Sequence, residues 1–311
     1  MTELIFRRFH SSDARAVSQL FREVYGDLYV QPDVYLPNMI SQHNADGRWI
    51  SMLAVEDHRV LGHAALCHEL TSGTTELALS VVHPAAQGQS IATRLSRELL
   101  EQAGSLGSTS VVIKQVTHHP YTQRMAATIG FQSTGVLPDY VPSPFAEPLA
   151  ETIVLGCYLG EGHTRPLPDI AWPESCRGFM EHLCSVFGTQ ADVPSLSSIP
   201  LQITQHHHRF EIVIQRLNKR LLEQIRQLPG HWLICARVEL SAHFAEALHS
   251  LTMLGFAFTG LTPAPGSHGW FALFHRGAQP RSLSLHCPHM QQLHNELQRN
   301  TQPLRSARSA A

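Results

Sequence analysis

The alternation of apolar and polar residues along the chain predicts an α+β fold. Apolar, β-branched residues continue to Val82, as in a buried strand, and Pro84 ends that run because proline cannot continue a central ladder. Beyond it the apolar period becomes four, which places Ile91, Leu95 and Leu99 on one face of a helix. Similar patterns predict strands at residues 4–9, 49–55, 60–66, 75–82, 110–116, from 130 onward and 152–159, and helices at 13–25, 39–43 and 120–128.

A short, uncharged segment at residues 87–92 joins this strand to this helix. A strand-to-helix turn directs several unpaired backbone N–H groups and the positive end of the helix dipole at one spot. Such a spot binds phosphate or pyrophosphate. From its residues alone, the segment is a candidate anion site.

The same residues resemble motif A of the GNAT superfamily of acetyl-CoA-dependent N-acetyltransferases. That motif is usually written Gln/Arg-x-x-Gly-x-Gly/Ala after a Val-x-Pro strand end. Here Val82-His83-Pro84 precedes Gln87-x-x-Ser90-x-Ala92, so the chain differs only at Ser90, where glycine is usual. The order of predicted elements and the helix-Gly130-Phe131 junction also resemble the family, which extends the likeness over about residues 1–160.

The resemblance implies a mixed, mostly antiparallel sheet flanked by helices, and acetyl-CoA or another acyl-CoA as cofactor. The implied cofactor-binding residues are Val81, Val82, Gln87, Gly88, Gln89, Ser90, Ile91 and Ala92. In the family the strand before the loop separates from its neighbour, and its backbone N–H groups face the thioester. Val82 occupies the position of that donor, which would act like an oxyanion hole.

Glu76 is the candidate general base. It lies eleven residues before Gln87, a separation that also occurs in family members with a glutamate base. An alkyl ammonium has a pKa of about 10, so a carboxylate must be raised in pKa by burial or must act through water. The alternative is that Glu76 is a solvated edge residue beside the turn at residues 74–75.

Tyr121 is the candidate general acid. Many family members have a tyrosine four residues before the Gly-Phe pair, but here that residue is Ala126. Tyr121 and His119 are the nearest substitutes, since a tyrosine at a helix start could reach the sulfur and an imidazole titrates in the right range. Alternatively, Pro120 simply begins the helix, and a thiolate with a pKa of about 8.5 leaves without a dedicated acid.

An aromatic acceptor pocket is expected between the first two helices, the hairpin turn and the segment after Phe131. The tyrosines in those segments are Tyr25, Tyr29, Tyr35 and Tyr140. They indicate an apolar site with a few polar groups, whereas packing alone is the alternative. No acidic strip suited to basic peptides is visible, which favours a small-molecule amine as the substrate.

The second half of the chain contains an internal repeat. Residues 129–138 recur as residues 254–263, with Gly, Phe, Thr, Gly and Pro at five matching positions. A predicted strand and helix precede each copy, as expected of a duplication. Residues 211–215 and the helix at 217–227 correspond to the central strand and helix, without a phosphate loop. We therefore predict a tandem arrangement of a GNAT domain at 1–160 with the acyl-CoA site, a degenerate GNAT-like domain at 161–299 and a disordered tail at 300–311.

Composition narrows the functional classes further. The formal charge of −2, from 23 basic and 25 acidic residues, provides no field that attracts nucleic acid or an anionic membrane. No signal peptide or run of 18 apolar residues is present, and the six scattered cysteines indicate reduced thiols. A cytoplasmic protein is therefore expected, with homodimer formation left open. Consecutive histidines at 206–208 predict a hairpin turn rather than a metal site, so no metal is expected.

Two functions remain open at this point. The first is an acyl-CoA-dependent N-acyltransferase, most simply an acetyltransferase, in which a small amine attacks directly. The second is a non-catalytic acyl-CoA sensor or regulatory protein derived from the same fold. The motif with Glu76 favours the first, whereas Ser90, Ala126 and the degenerate second half favour the second.

Overall fold

The fold is known from a computed structural model, which describes residues 3–69, 74–105, 107–142, 150–191, 202–206, 209–265 and 269–301. Its strands are β1 (Ile5–Arg8), β2 (Trp49–Glu56), β3 (Arg59–Glu69), β4 (Thr74–Val82), β5 (Ser110–Val116), β6 (Gln132–Pro142), β7 (Ala150–Leu159), β8 (Leu167–Pro168), β9 (Thr189–Gln190), β10 (Gln202–His206), β11 (Arg209–Ile214), β12 (Leu233–Glu239), β13 (Ala257–Pro263) and β14 (Trp270–Arg276). Its α-helices are α1 (Ala14–Tyr25), α2 (Pro37–Ala45), α3 (Ile91–Ser105), α4 (Tyr121–Thr128), α5 (Arg177–Phe187), α6 (Lys219–Gln227), α7 (Phe244–Thr252) and α8 (Pro288–Thr301).

A single large sheet passes through both halves of the chain. Within the described residues its order is β1-β2-β3-β4-β5-β7-β6-β13-β14-β12-β11-β10. Most neighbours are antiparallel, while β4–β5 and β11–β12 are parallel. The predicted α+β fold with a mixed, mostly antiparallel sheet is therefore confirmed.

Helices cover the two faces of this sheet unequally. On one face, α3 and α4 pack on the first half, and α5, α6, α7 and α8 pack on the second. The opposite face, here called the front face, is covered by α1 and α2 over β2–β4. Further along, the front face has a small apolar floor around Leu155, Cys235 and Leu273.

The strand order of the first half recurs in the second. The sequence β3-β4-α3-β5-α4-β6-β7 has the spatial order β3-β4-β5-β7-β6, and β10-β11-α6-β12-α7-β13-β14 has the order β10-β11-β12-β14-β13. The parallel pair occupies the same place in each series. The topology thus agrees with the repeat in the sequence, and no equivalents of α1 and α2 precede β10 among the described residues.

The two halves join through equivalent residues of the repeat. Gly135 of β6 pairs with Gly260 of β13, and these are the same position of the ten-residue repeat. A Cβ on Gly260, whose φ is +116°, would lie 2.3 Å from the Thr134 carbonyl oxygen and 2.4 Å from the Gly135 Cα. Glycine at this position therefore lets the two backbones approach closely enough to pair.

Several details depart from the pattern-based prediction. Helices α5 and α8 were not predicted, and α8 includes Asn300 and Thr301, which the sequence analysis assigned to the tail. The rest of that tail and the tip of the 206–208 turn lie outside the described residues. The flanking hairpin is present, since β10 pairs with β11 from His206–Arg209 inward.

Candidate functional site

Strand β4 separates from β5 halfway along its length. The two strands pair at only three positions, from Thr75 with Val111 to Leu77 with Ile113. Just beyond, Leu79 has a φ of +52°, and the β3–β4 register shifts as in a β-bulge. The remainder of β4 therefore has an edge without a β5 partner, which opens a gap in the sheet.

A buried histidine holds this bulge in place. His63 of β3 has no exposed surface, and its Nδ1 lies 2.8 Å from the Leu79 carbonyl oxygen, while its Nε2 lies 3.0 Å from Ser51 Oγ. A carbonyl only accepts hydrogen bonds, so the Nδ1–H of His63 must donate to it. Burial lowers the pKa of His63 to about 4, so the ring is neutral near pH 7.

The Val82 amide points into the gap. The His83 amide donates to the Leu61 carbonyl across β3 at 2.8 Å, which makes that pair the hydrogen-bonded type. In an antiparallel ladder the next pair, here Val82 with Gly62, is the other type, and its N–H groups face outward. The donor position predicted for Val82 is thus compatible with the strand geometry.

The predicted loop follows directly. After a short 3₁₀ turn at Pro84–Ala86, Gly88 has a φ of +81° and Ser90 a φ of +57°, and α3 begins at Ile91. A Cβ on Gly88 would meet no atom within 4 Å, so the space in front of the loop is open. The N–H groups of the first turn of α3 have no intrahelical acceptor and are available to an anion.

The eight predicted cofactor-binding residues fall into two groups. The side chains of Val81 and Ile91 are buried in the core, so only their backbone can contribute to a site. Gln87, Gly88, Gln89 and Ser90 are exposed, whereas Val82 and Ala92 are half-buried. Gly62 keeps α3 close to the sheet, since a Cβ there would lie 2.6 Å from Ile91 Cγ2.

Glu76 is part of an ion pair on the front face. Its Oε2 accepts from Lys114 Nζ of β5 at 2.6 Å, and about a quarter of its side chain is exposed. Burial alone would lower the pKa of the Lys114 ammonium, but Glu76 raises it above its ordinary value. Glu76 is therefore a paired carboxylate at the open end of the β4–β5 contact, and sequence patterns gave no sign of its partner.

The predicted tyrosines lie on two sides of this pair. Tyr25, Tyr29 and Tyr35 form one group, in which the Tyr25 and Tyr29 rings are 4.8 Å apart and the Tyr35 hydroxyl accepts from the Tyr29 amide at 2.8 Å. Burial raises the pKa of Tyr25 to about 12 and that of Tyr29 well above its ordinary value, so both phenols remain protonated donors. Tyr140 lies on the other side, with Lys114 Nζ 5.6 Å from its ring.

Tyr121 lies at the start of α4, where 70% of its surface is exposed. Its ring centroid is 5.1 Å from that of His119, and burial lowers the pKa of that imidazole. Ala126 lies on the buried face of α4. The structure thus leaves Tyr121 free to contact a ligand from solvent, without fixing it against another catalytic group.

A cavity of about 580 Å³ lies beside α4, lined by Thr117, His118, His119, Pro120, Arg124 and residues 282–286. Met125 contacts Ser96 of α3 on one flank of α4, whereas Gln123 accepts from the His286 amide of this second-half segment. Arg124 is turned about 100° from Met125 around the helix. The cavity therefore lies between the start of α4 and the second-half segment 282–286.

Membrane-spanning helices and clusters of metal-binding side chains are both absent from the described part of the chain. None of the described helices is long and apolar enough to cross a membrane. No group of three or more His, Cys, Asp or Glu side chains among those residues could hold a metal ion.

Comparisons with known proteins match part of the chain. No curated protein matches this sequence. Among solved structures, an N-acetyltransferase from Staphylococcus aureus Mu50 is 14% identical with a TM-score of 0.44, over 50% of this chain and 98% of that one. The putative acetyltransferase yncA from Salmonella typhimurium, solved with acetyl-CoA, is 17% identical with a TM-score of 0.45, over 56% and 99%. A phosphinothricin acetyltransferase from Sinorhizobium meliloti, in complex with acetyl-CoA, is 19% identical with a TM-score of 0.44, over 51% and 90%.

A family match covers a defined range of the chain. Residues 14–131 match the family described as Acetyltransferase (GNAT) family. That range begins with α1 and ends with the Gly130-Phe131 junction, and it contains the whole β4–loop–α3 unit. The chain therefore contains a domain of the GNAT acetyltransferase family at residues 14–131.

Proposed function

We propose that this protein transfers an acetyl or related acyl group from a CoA thioester to the amine of a small molecule. The observation that supports it most directly is the gap between β4 and β5, which ends at a loop with outward-facing amides. Acyl-CoA would supply an activated acyl thioester there. The backbone amides around Gly88 and the first turn of α3 would hold its diphosphate.

The loop residues fit such a group. The open space in front of Gly88 leaves room for a phosphate to approach the backbone. Ser90 has a left-handed backbone conformation that glycine adopts without strain. The backbone of the loop therefore has the shape that the glycine usual in the family would give it. Val82 would donate its amide to a carbonyl oxygen placed in the gap, a contribution that needs no side chain.

Acyl transfer to nitrogen exchanges an amine N–H for a thiol S–H, so the protein must accept a proton and return one. In this proposal Glu76 takes the acceptor's proton, directly or through one water. Lys114 Nζ lies 2.6 Å from that carboxylate, so an incoming amine has to approach Glu76 beside an existing partner. Tyr121, exposed at the start of α4, would return a proton to the sulfur.

The first experiment measures ligand binding and turnover in sequence. Acetyl-CoA should raise the unfolding temperature, by linkage of about 2.7 kcal/mol at a hundredfold excess over Kd. Release of CoA thiol across a panel of small amines then tests transfer. Absence of any stabilisation by acetyl-CoA and CoA would contradict the proposal.

The role of Glu76 is tested with Glu76→Gln. The amide cannot accept the proton, so kcat should fall by about a hundredfold or more while stabilisation by acetyl-CoA stays unchanged. Glu101→Gln on the exposed side of α3 is the matched control and should behave as wild type. An unchanged kcat in Glu76→Gln would show that Glu76 is not the base.

A second candidate function is an acyl-CoA sensor without turnover. The ion pair of Glu76 with Lys114 and the exposure of Tyr121 favour it, since neither group is poised as a strong catalyst. Stabilisation by acetyl-CoA without thiol release from any amine would support this alternative.

A further inference from the structure

The ion pair of Glu76 with Lys114 has a counterpart in the second half. Lys114 is opposite Leu155, which is opposite Gly135, and Arg237 is opposite Leu273, which is opposite Gly260. Because Gly135 and Gly260 are equivalent in the repeat, Arg237 occupies the position of Lys114. By the same register Glu211 occupies the position of Glu76, and Arg237 Nη2 lies 2.9 Å from Glu211 Oε2.

Both pairs converge over the apolar floor of the front face. Lys114 and Arg237 influence each other electrostatically, although five strand steps separate them along the sheet. Tyr140 connects them: its ring has Lys114 on one side and is stacked by the Arg209 guanidinium at 3.9 Å, and Arg209 also pairs with Glu211. Tyr140 of β6 therefore brings charged side chains of both halves to one place on the front face.

The group lies at the bottom of a cleft. Lys114 and Arg237 lie deep in the protein, surrounded by its atoms. Nevertheless 33% of the Lys114 side chain and 27% of the Arg237 side chain are accessible to solvent. Groups that are deep and still touch water line a concavity, which is where a small ligand is held.

The charges and hydrogen-bond donors of this cleft favour an anionic ligand. Lys114, Arg209 and Arg237 face the two carboxylates Glu76 and Glu211, so this group of five has one positive charge in excess. Glu76 takes one of the three N–H donors of Lys114 and Glu211 accepts from Nη2 of Arg237, so both partly accessible cations keep further N–H donors. Nearby His275 adds no charge, because burial and then the two arginines lower its pKa to about 3.

We propose that the second half completes the acceptor site, and that the acceptor is an amine that also bears a carboxylate. The carboxylate would bind Arg237 and Lys114, while the amine lies toward Glu76 and the gap beside Val82. A guanidinium matches a carboxylate in a two-point geometry, and one excess positive charge matches one carboxylate better than a phosphate of nearly two charges. This inference rests on the proposed function and assigns its substrate class.

The experiment compares each amino acid with its own carboxamide, which has the same shape without the charge. Alanine, leucine, phenylalanine and lysine, each with its amide, are assayed for CoA thiol release from acetyl-CoA. At least one acid should have a KM about tenfold to a hundredfold lower than its amide, as expected for a charge-assisted hydrogen bond. Equal KM values for every acid and amide would overturn the inference.

Variants then locate the carboxylate site. Arg237→Gln should reduce the ratio between acid and amide to about one, and Arg237→Lys should restore part of it. Arg226→Gln, on an exposed i,i+3 pair of α6, is the control and should keep the wild-type ratio. A ratio that survives in folded Arg237→Gln would overturn the assignment.

Binding measurements separate this inference from the proposed function. Stabilisation by acetyl-CoA is measured first, and its absence would count against the function itself. If acetyl-CoA stabilises the protein and no amine turns over, the N-acetylated amino acids and their amides are titrated into the CoA-bound protein. Preferential binding of the acids, lost in Arg237→Gln, supports the carboxylate site, and equal binding overturns it.

Discussion

The two halves share a topology but differ where strand meets helix. In the first half, β4 pairs with β5 at three positions and then separates, and an eight-residue connection at 83–90 leads to α3. In the second, β11 pairs with β12 at six positions from Arg209 to Ile214, and residues 215–218 lead directly to α6. The first half therefore has a gap between its parallel strands and a loop before its helix, whereas the parallel strands of the second half stay paired to the end of β11.

The helix starts differ in the same way. Asn218 caps α6, with its side-chain oxygen accepting from the Leu221 amide at 2.9 Å. This side chain occupies an N–H group that a ligand would otherwise use. At α3 the chain instead passes through Gly88 and Ser90 in left-handed conformations, which turn the backbone outward. A few residues at this junction therefore decide whether the same topology leaves an open loop or a capped helix start.

The largest expected effect tests whether the halves depend on each other. In Gly260→Ala the new Cβ would collide with backbone atoms of Thr134 and Gly135, which cannot move aside as a side chain could. We expect a loss of about 3 kcal/mol or more in the free energy of unfolding, measured in urea. Gly104→Ala, where a Cβ meets no atom within 4 Å, is the control and should be neutral or stabilising. Wild-type stability in Gly260→Ala would contradict the close approach at the junction.

The second prediction concerns the bulge that opens β4. Burial lowers the pKa of His63 in the folded protein to about 4, from an ordinary value of 6.5. Between these values the unfolded chain binds a proton that the folded protein does not, so this contribution is complete above pH 6.5 and declines as the pH falls to 4. The decline should reach about 3 kcal/mol. Unfolding of His63→Gln should depend correspondingly less on pH than wild type, and parallel pH profiles would be evidence against a neutral buried His63.

The third prediction addresses the loop directly. Gly88→Glu places a carboxylate where the diphosphate is proposed to bind, so it should abolish stabilisation by acetyl-CoA, about 2.7 kcal/mol at a hundredfold excess over Kd. Gly47→Glu has a similar φ, +70°, with open space around the Cβ, and so controls for backbone strain. Thermal unfolding of both variants with and without acetyl-CoA separates loss of ligand binding from backbone strain. If acetyl-CoA still stabilised Gly88→Glu, the loop would not be part of the binding site.

The smallest effect comes from Ser90→Gly, which restores the residue usual in the family. Glycine adopts the observed φ without strain, but it also adds entropy to the unfolded chain. We expect a gain of no more than about 1 kcal/mol in stability and a lower Kd for acetyl-CoA, measured by titration calorimetry. A weaker affinity would indicate that the Ser90 hydroxyl itself binds the ligand.

The sequence by itself determined the local features of this protein. Periodicity located the central strand and helix, and Pro84 and the small residues after it defined the loop. The repeat at 129–138 and 254–263 predicted a duplication, with which the recurring strand order agrees. These features depend on neighbouring residues, so a pattern within one segment is sufficient to specify them. The sequence also placed Glu76 on the central strand.

Only the tertiary structure decided which of these residues meet. Periodicity assigns a side chain to a face of a strand, but it does not say which strand lies alongside. The partnership of Glu76 with Lys114, its counterpart at Glu211 and Arg237, and the contact of Tyr140 with both halves arise from pairing between distant segments. The joining of β6 to β13 brought the two ion pairs onto one continuous sheet, and the close approach at Gly135 and Gly260 that allows it involves two backbones together.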